Sequence, residues 1–134
     1  MRESDFQFSN PVFTEFHLYI NNDFDNEKFD GMKIDSRASV TMTEKESNAI
    51  VSLEINIGDK LEKFPFVIKC KLSSEFRWTE DTQDVDELLQ KNAPALLLSY
   101  ARPYISMLTA SSNYPAFNLP FMNFQDKNLE QNKN

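Results

Sequence analysis

Two side chains in the sequence have the chemistry of a nucleophilic pair, His17 and Cys70. A histidine can activate a cysteine thiol for attack on an acyl carbon. They are the single histidine and the single cysteine of the chain, and each lies in a segment that alternates like a β-strand. Because such a pair lacks a third, orienting residue, we expect both to be ordinary strand residues. One cysteine also excludes an internal disulfide and fits a reducing compartment.

A second candidate for chemistry is a cluster of carboxylates just before a helix-like segment. It comprises Glu80, Asp81, Asp84, Asp86 and Glu87. Paired carboxylates can act as general acid and base, but acids also stabilise the first turn of a helix through the helix dipole. We interpret the cluster as a solvated helix start. Since three or four metal ligands at suitable spacing are not found, we expect no metal, no cofactor and no enzymatic activity.

Composition limits the other classes of function. The chain has 134 residues and a net charge of −7, which predicts one domain and argues against nucleic acid, whose partners usually carry basic patches. Two glycines in the whole chain argue against glycine-rich phosphate loops. No apolar run is long enough to span a bilayer, and residues 1–10 do not have the pattern of a signal peptide. We expect a cytoplasmic protein.

Apolar residues are the strongest functional signal. The 12 phenylalanines exceed what a core of this size easily hides, and the surplus favours an interface or a groove. After Asn113, Pro115 and Pro120 prevent regular structure while apolar residues continue. These are Tyr114, Phe117, Leu119, Phe121, Met122 and Phe124. Because loops usually run on the surface, part of this run should be exposed.

Four segments alternate apolar and polar side chains with the period of two that indicates half-buried antiparallel strands. They are residues 12–20, 33–42, 50–57 and 64–72. Gly58 and Asp59 suit the positive backbone angles of a tight turn between the third and fourth segments. We expect Phe66, Ile68 and Leu72 in the core or at a subunit contact.

The period changes after the fourth strand. The acidic stretch can form a short helix, Asn92 can cap the next helix, and Pro94 fits a first helical turn. From there to about Ala110, apolar residues recur at three- and four-residue spacing, as in an amphipathic helix. The ring of Pro103 would clash with the carbonyl of Ser99 in a regular helix, which predicts a kink or a short break there. The apolar stripe consists of Leu97, Tyr100, Ala101, Tyr104, Ile105 and Leu108.

Strands followed by helices give an α+β fold. The predicted organisation is one domain with a sheet at about 12–78, a helical part at about 82–110, a loop at 111–124 and a polar tail at 125–134.

Residues 94–124 resemble the signature region of SecB, the bacterial protein-export chaperone family. The matching residues follow the family's order without a gap over about 30 residues, and they are Tyr100-Ala101-Arg102, Ile105, Tyr114-Pro115, Asn118-Leu119 and Asn123-Phe124. The resemblance implies a four-stranded antiparallel sheet packed with one long helix and a short C-terminal helix or tail. It also implies assembly as a homo-oligomer, a dimer or a tetramer.

The function implied by the resemblance is that of an ATP-independent holdase. Such proteins bind unfolded clients in long apolar grooves and pass secretory precursors to the SecA motor. The loop at about 111–121 would be one wall of the groove. The candidate client-binding residues are Phe64, Phe76, Trp78, Tyr114, Phe117, Leu119, Phe121 and Met122.

The resemblance also implies subunit contacts. The fourth strand helps to set the oligomeric state in the family, which would place Ile68, Cys70 and Leu72 at or near such contacts. The helix at 94–110 would pair dimers. Its candidate contact residues are Tyr100, Tyr104 and Leu108.

Docking to SecA is less well supported by the residues. Glu15 keeps one of the acidic positions that the family uses on its sheet, whereas Tyr19 and Lys69 stand where other acids would be. One alternative is a SecB-like chaperone dedicated to a single partner, such as the antitoxin of a toxin–antitoxin system. A further alternative is a hot-dog thioesterase, which would need a carboxylate aimed at a thioester near the helix start.

Overall fold

The alternating segments of the sequence pair into one sheet. A computed structural model describes residues 6–29, 34, 36–60, 63–122, 124 and 130–133. Within these residues the sheet has six strands in the order β1-β5-β4-β3-β6, and β2 also pairs with β5. The strands are β1 (Phe6–Phe8), β2 (Val12–Ile20), β3 (Ser36–Glu44), β4 (Asn48–Ile57), β5 (Phe66–Trp78) and β6 (Glu130–Lys133).

The four predicted strands are confirmed as β2, β3, β4 and β5, and all their pairings are antiparallel. Consecutive links join β3, β4 and β5, whereas β2 reaches β3 by a longer connection and lies beside β5. This order is a Greek-key arrangement. A short helix, α1 (Asn26–Phe29), lies in the longer connection.

One face of the sheet forms the core. In β4 every second side chain is buried, and these are Ala49, Val51, Leu53, Ile55 and Ile57. The register places Leu53 opposite Leu72 and Ile55 opposite Cys70, so β5 adds its alternate residues to the same face. The intervening side chains of β4 are polar or charged with the exception of Ile50, as the period of two predicts.

The helical part packs on the buried face. It begins with α2 (Val85–Glu87), continues through a π turn (Leu88–Asn92) and ends with α3 (Ala93–Ala110). In the π turn the N–H of Ala93 donates to the carbonyl of Leu88. Pro94 follows directly and has no N–H, so the wider turn lies where a proline interrupts the α-helical ladder. The predicted cap at Asn92 is therefore wrong, because Asn92 has helical backbone angles and makes no side-chain capping bond.

Of the kink or short break predicted at Pro103, the break is wrong because α3 continues through this residue, whereas the kink stays a prediction. Pro103 cannot donate to the carbonyl of Ser99, but both residues lie on the exposed side of the helix. There water can satisfy the released carbonyl, which lowers the cost of the missing hydrogen bond. The opposite side of α3 buries Leu97, Leu98, Ala101, Ile105 and Thr109.

Three parts of the sheet differ from the prediction. β5 continues to Trp78, and β1 pairs with this extension. The link between β4 and β5 spans residues 58–65, and among its described residues Gly58 alone takes a positive φ, of 72°. The tight turn at Gly58 and Asp59 is therefore wrong. Of the predicted polar tail, residues 130–133 form a strand parallel to β3, whereas residues 125–129 lie outside the described residues. Within the described residues, no helix has both the length and the apolar character needed to cross a membrane.

Candidate functional site

The chain after α3 folds back along the helix. We call residues 111–124 the return segment. Three side chains on one face of α3 bond to successive residues of this segment. Thr109 Oγ1 accepts the N–H of Phe117 at 2.7 Å, Ser106 Oγ donates to Asn118 Oδ1 at 2.9 Å, and Arg102 Nε donates to the carbonyl of Leu119 at 2.7 Å. The segment thus runs antiparallel to the helix, although its described residues form no helix or strand.

Most apolar side chains of the return segment belong to the protein's own core. Tyr114 and Leu119 are buried, and the Tyr114 hydroxyl donates to the carbonyl of Asn21 in the connection after β2. Phe117 is half-buried, with its ring edge on Phe66 at a centroid distance of 5.9 Å. The expectation that Tyr114 and Leu119 contact a client is therefore wrong, because their own chain covers them.

Phe121 is the exception in this segment. Its exposed fraction is 79%, and the guanidinium carbon of Arg102 lies 3.8 Å from its ring centroid. This is a cation–π contact on the surface.

An apolar groove of about 780 Å³ lies between β1, the start of the helical part and the end of the return segment. Among the described residues, its polar lining residues are Thr82, Lys91 and Asn92. Its apolar lining residues are Phe6, Phe8, Phe76, Leu88, Ala95, Leu96, Met122 and Phe124. A volume of this size is typical of binding sites for small molecules or short peptide segments.

Stacked aromatic rings form the strand side of the groove. Phe6 packs on Phe76 and on Trp78, with centroid distances of 5.5 and 6.2 Å. Phe8 lies 6.0 Å from Phe76 and 6.3 Å from Tyr100 of α3. The short strand β1 therefore carries two rings into the space between the sheet and the helix.

The structure brings only part of the predicted client-binding set to this groove. Phe76 and Met122 line it, although the Phe76 side chain is largely covered. Trp78 lines a neighbouring polar recess of about 630 Å³ beside Glu46 and Glu80. The predicted residues outside both sites are Phe64, which is buried, and Tyr114, Phe117, Leu119 and Phe121.

Sequence reasoning missed the residues of β1 and the first helical turns. Phe6 and Phe8 alternate around Gln7, but three residues are too few to establish a strand period. Leu88, Asn92, Ala95 and Leu96 are spaced by four, three and one, which is the spacing of one helix face. The second signal was present in the sequence and could have been used.

The predicted subunit-contact residues of β5 are core residues. Ile68, Cys70 and Leu72 have exposed fractions of 0–1% within a single chain. A second subunit has no direct access to these side chains, and a place near a subunit contact stays a prediction. On α3, Tyr100 and Tyr104 are exposed and Leu108 is half-buried, and their role in subunit contact stays a prediction.

Cys70 and His17 do not form a nucleophilic pair. Cys70 lies opposite Phe16 on the covered face of the sheet, whereas His17 lies on the other face, where its Nε2 is 2.9 Å from Glu15 Oε1. Burial, with a smaller contribution from the Glu54 carboxylate, raises the pKa of the Cys70 thiol to about 12. The thiolate needed for nucleophilic attack is therefore scarce at neutral pH.

We expect the native protein to react with a disulfide reagent only as it unfolds. At pH 8 the Cys70 thiol should label at least roughly a hundredfold more slowly in the native state than in denaturant, because both burial and the raised pKa lower its reactivity. Because the folded-state pKa is raised, the thiol's contribution to stability is fully present below pH 9 and declines as the pH rises towards 12. The rate of Cys70 labelling with and without urea measures the difference in reactivity between the native and the unfolded state. Equally fast labelling in both states would show an accessible thiol.

The carboxylate cluster lies at the surface around the start of α2. Asp86 and Glu87 occupy its first turn, and Glu87 pairs with Lys91 at 3.3 Å. The described residues that line the apolar groove include no carboxylate. In the described part of the chain, no group of three or more histidine, cysteine or acidic side chains is placed to hold a metal ion. The cluster fits the predicted role as a helix start.

A Greek-key sheet covered by one long helix, with an open apolar groove beside the helix start, defines this chain as an α+β protein. The chain belongs to the SecB family, because residues 24–133 match the family described as preprotein translocase subunit SecB. The expected family membership is thereby confirmed. The described strands and helices confirm the expected α+β class, with two strands, β1 and β6, beyond the four that were expected.

Curated relatives carry the same family name. The protein-export protein SecB of Anaplasma phagocytophilum is 31% identical over 90 residues, which cover 61% of this chain and 57% of the relative. Its counterpart in Anaplasma marginale (strain Florida) is 32% identical over 78 residues, covering 56% of this chain and 45% of the relative. The chain thus spans about half the length of these curated relatives.

Solved structures show the same fold at low identity. The Mycobacterium tuberculosis SecB-like chaperone Rv1957, solved in complex with a ChAD peptide from the Rv1956 HigA1 antitoxin, has a TM-score of 0.66 at 10% identity, with 87% of each chain covered. A Streptococcus agalactiae protein of unknown function has a TM-score of 0.51 at 16% identity, covering 87% of this chain and 97% of that one.

Proposed function

We propose that this protein is an ATP-independent holdase that binds unfolded polypeptide segments in the apolar groove. The proposal rests on the groove itself. In the folded SecB-family domain this groove stays open and is lined by aromatic and aliphatic side chains. Each client side chain that it buries would contribute about 1.5–3 kcal/mol. Two or three such contacts, after the cost of association, give weak binding that several grooves in an oligomer would strengthen.

The lining favours clients by their apolar character rather than by their sequence. Rings such as Phe6 and Phe8 offer large faces that accept different side chains. The polar groups of Thr82, Lys91 and Asn92 lie in the same lining and can bond the backbone of an extended segment. This binding needs no cofactor, no metal and no catalytic residue.

We further propose that the protein acts in the cytoplasm as a homo-oligomer. Tyr100, Tyr104 and Met107 expose apolar surface along the outer side of α3, and exposed apolar patches of this kind mark interfaces. The free, buried thiol of Cys70 is compatible with a reducing compartment.

For the destination of the client, two candidates remain. The names of the curated relatives favour handover of secretory precursors to SecA. The second candidate is a dedicated partner such as an antitoxin. The outer face of the sheet argues against docking to SecA, because its charges are mixed. Glu15 lies opposite Lys71, Glu54 lies 4.0 Å from Lys69, and the Arg77–Glu75 pair is 3.1 Å long. A surface with alternating signs lacks the acidic field that would attract a basic docking partner.

We expect the wild-type protein to suppress aggregation of a chemically denatured secretory precursor without nucleotide. Light scattering after dilution from urea should fall as the protein is added at micromolar concentration, and ATP should not change the result. An equal concentration of a folded, acidic protein without a groove is the control. If the folded oligomer neither binds the precursor nor lowers the scattering, the holdase proposal is wrong.

Pull-down from the host's own lysate, followed by mass spectrometry, separates the two candidates. Several precursors together with SecA would support export, whereas one enriched antitoxin would support the dedicated partner.

A further inference from the structure

We propose that Arg102 and Phe121 form a clasp that fixes the return segment against α3 and thereby positions Met122 in the groove wall. Arg102 makes two contacts with this segment, through its Nε to the carbonyl of Leu119 at 2.7 Å and through its guanidinium to the Phe121 ring at 3.8 Å. Arg102 thus acts as a positioning residue for the proposed binding site, and the effect on client binding rests on the proposed holdase function.

The two contacts lie on either side of Pro120. A proline has a restricted φ and also limits the backbone of the residue before it. The carbonyl of Leu119 and the ring of Phe121 are therefore presented to one guanidinium by a backbone with few alternatives. Arginine suits both contacts, because its planar group stacks on a ring while Nε donates a hydrogen bond.

Burial does not explain the position of the Phe121 ring. Its ring is 79% exposed, so packing into the protein's own core contributes little to its position. Its contact with Arg102 is the interaction that orients it. Leu119 is fully buried and anchors the chain before the clasp, whereas Met122 directly follows Phe121 and lines the groove with Phe124.

The clasp therefore lies between a buried anchor and the groove wall. Without it, the buried Leu119 and Phe124 still hold the segment on either side, but the backbone at Phe121 and Met122 loses its attachment to the helix. Met122 would then leave its place in the groove for part of the time. A displaced wall buries less of a client side chain, which weakens binding.

Four substitutions test this order of effects. Phe121→Leu keeps an apolar side chain but removes the ring, Phe121→Trp keeps a ring, and Arg102→Ala removes both contacts. The equilibrium between the groove wall docked on the protein and the detached wall should shift towards the detached state. The shift should be about two- to fivefold for Phe121→Leu and about tenfold or more for Arg102→Ala. Phe121→Trp should stay near wild type. Arg102→Lys, which keeps the charge but not the Nε donor, should fall in between.

The readout without client is the ¹³C-methyl NMR signal of Met122, assigned with Met122→Leu. Its chemical shift depends on the rings of the groove and should move furthest towards the random-coil position in Arg102→Ala and least in Phe121→Trp. Binding of reduced, carboxymethylated α-lactalbumin, a permanently unfolded probe, should weaken in the same order. Thermal unfolding of each variant identifies any general loss of the fold, and the Phe121 variants keep the test valid if Arg102→Ala fails to fold.

A Met122 signal that is unchanged in Phe121→Leu and Arg102→Lys would overturn the clasp. A moved signal with unchanged probe affinity would overturn its role in binding. Failure of the wild-type protein to bind the probe would instead contradict the holdase function, and the Met122 signal would still decide whether the clasp exists.

Discussion

Replacing Leu119 with alanine is expected to lower the free energy of unfolding by about 2–5 kcal/mol, the range for a leucine in a packed core. Leu119 lies in a segment without regular structure, yet its side chain is fully buried. Truncation would remove contacts and leave a cavity that the helix and the sheet cannot easily fill.

The matched control lies two residues away. Phe121→Ala removes a larger apolar side chain, but one that is 79% exposed, so the global stability should change by no more than about 0.5–1 kcal/mol, mainly from the contact with Arg102. Urea unfolding at equal protomer concentration measures both variants, since assembly makes the midpoint depend on concentration. Equal destabilisation by the two substitutions would contradict this assignment of core and surface.

The second large effect is expected at the groove. Phe8→Asp should weaken binding of an unfolded client at least roughly thirtyfold, because it removes about 1.5–3 kcal/mol of apolar burial and places a carboxylate against the bound segment. Phe8 is 41% exposed, so the fold should tolerate its loss. Fluorescence anisotropy with a labelled, unfolded peptide measures the dissociation constant.

Tyr19→Asp is the control for charge and position. Tyr19 is also an exposed aromatic residue on a strand beside β5, with an exposed fraction of 55%, but it lies on the face of the sheet opposite the groove. The substitution makes the same change in net charge and should leave client affinity within about twofold. Equal losses in both variants would indicate a general electrostatic effect and remove the groove from the proposal.

The elements of the fold were largely predictable because their signals are local. Alternation over nine residues of β2 indicates a half-buried strand before any partner is known, and the stripe from Leu97 to Ile105 likewise indicates a helix that packs on one side. β1 and β6 were not predictable in this way. They are short, and their strand character depends on the neighbours with which they pair.

The site was less predictable than the fold. Met122 and Phe76, which were expected to bind a client, line the groove, whereas Phe6 and Phe8 were missed because their position depends on the extension of β5 to Trp78. Phe64 and Leu119 were expected at a binding surface and are buried. For these two residues the sequence indicated apolar character but not whether the side chain is buried or exposed.

By itself, the sequence determined the α+β class, the four main strands, the long helix and membership of the SecB family, since periodicity and a gapless signature are read along the chain. Only the tertiary structure decided which apolar residues after the helix face inwards and which face solvent. An irregular segment has no period from which to infer direction. Leu119 is buried and Phe121 is exposed because Thr109, Ser106 and Arg102 hold the returning chain in one register along α3.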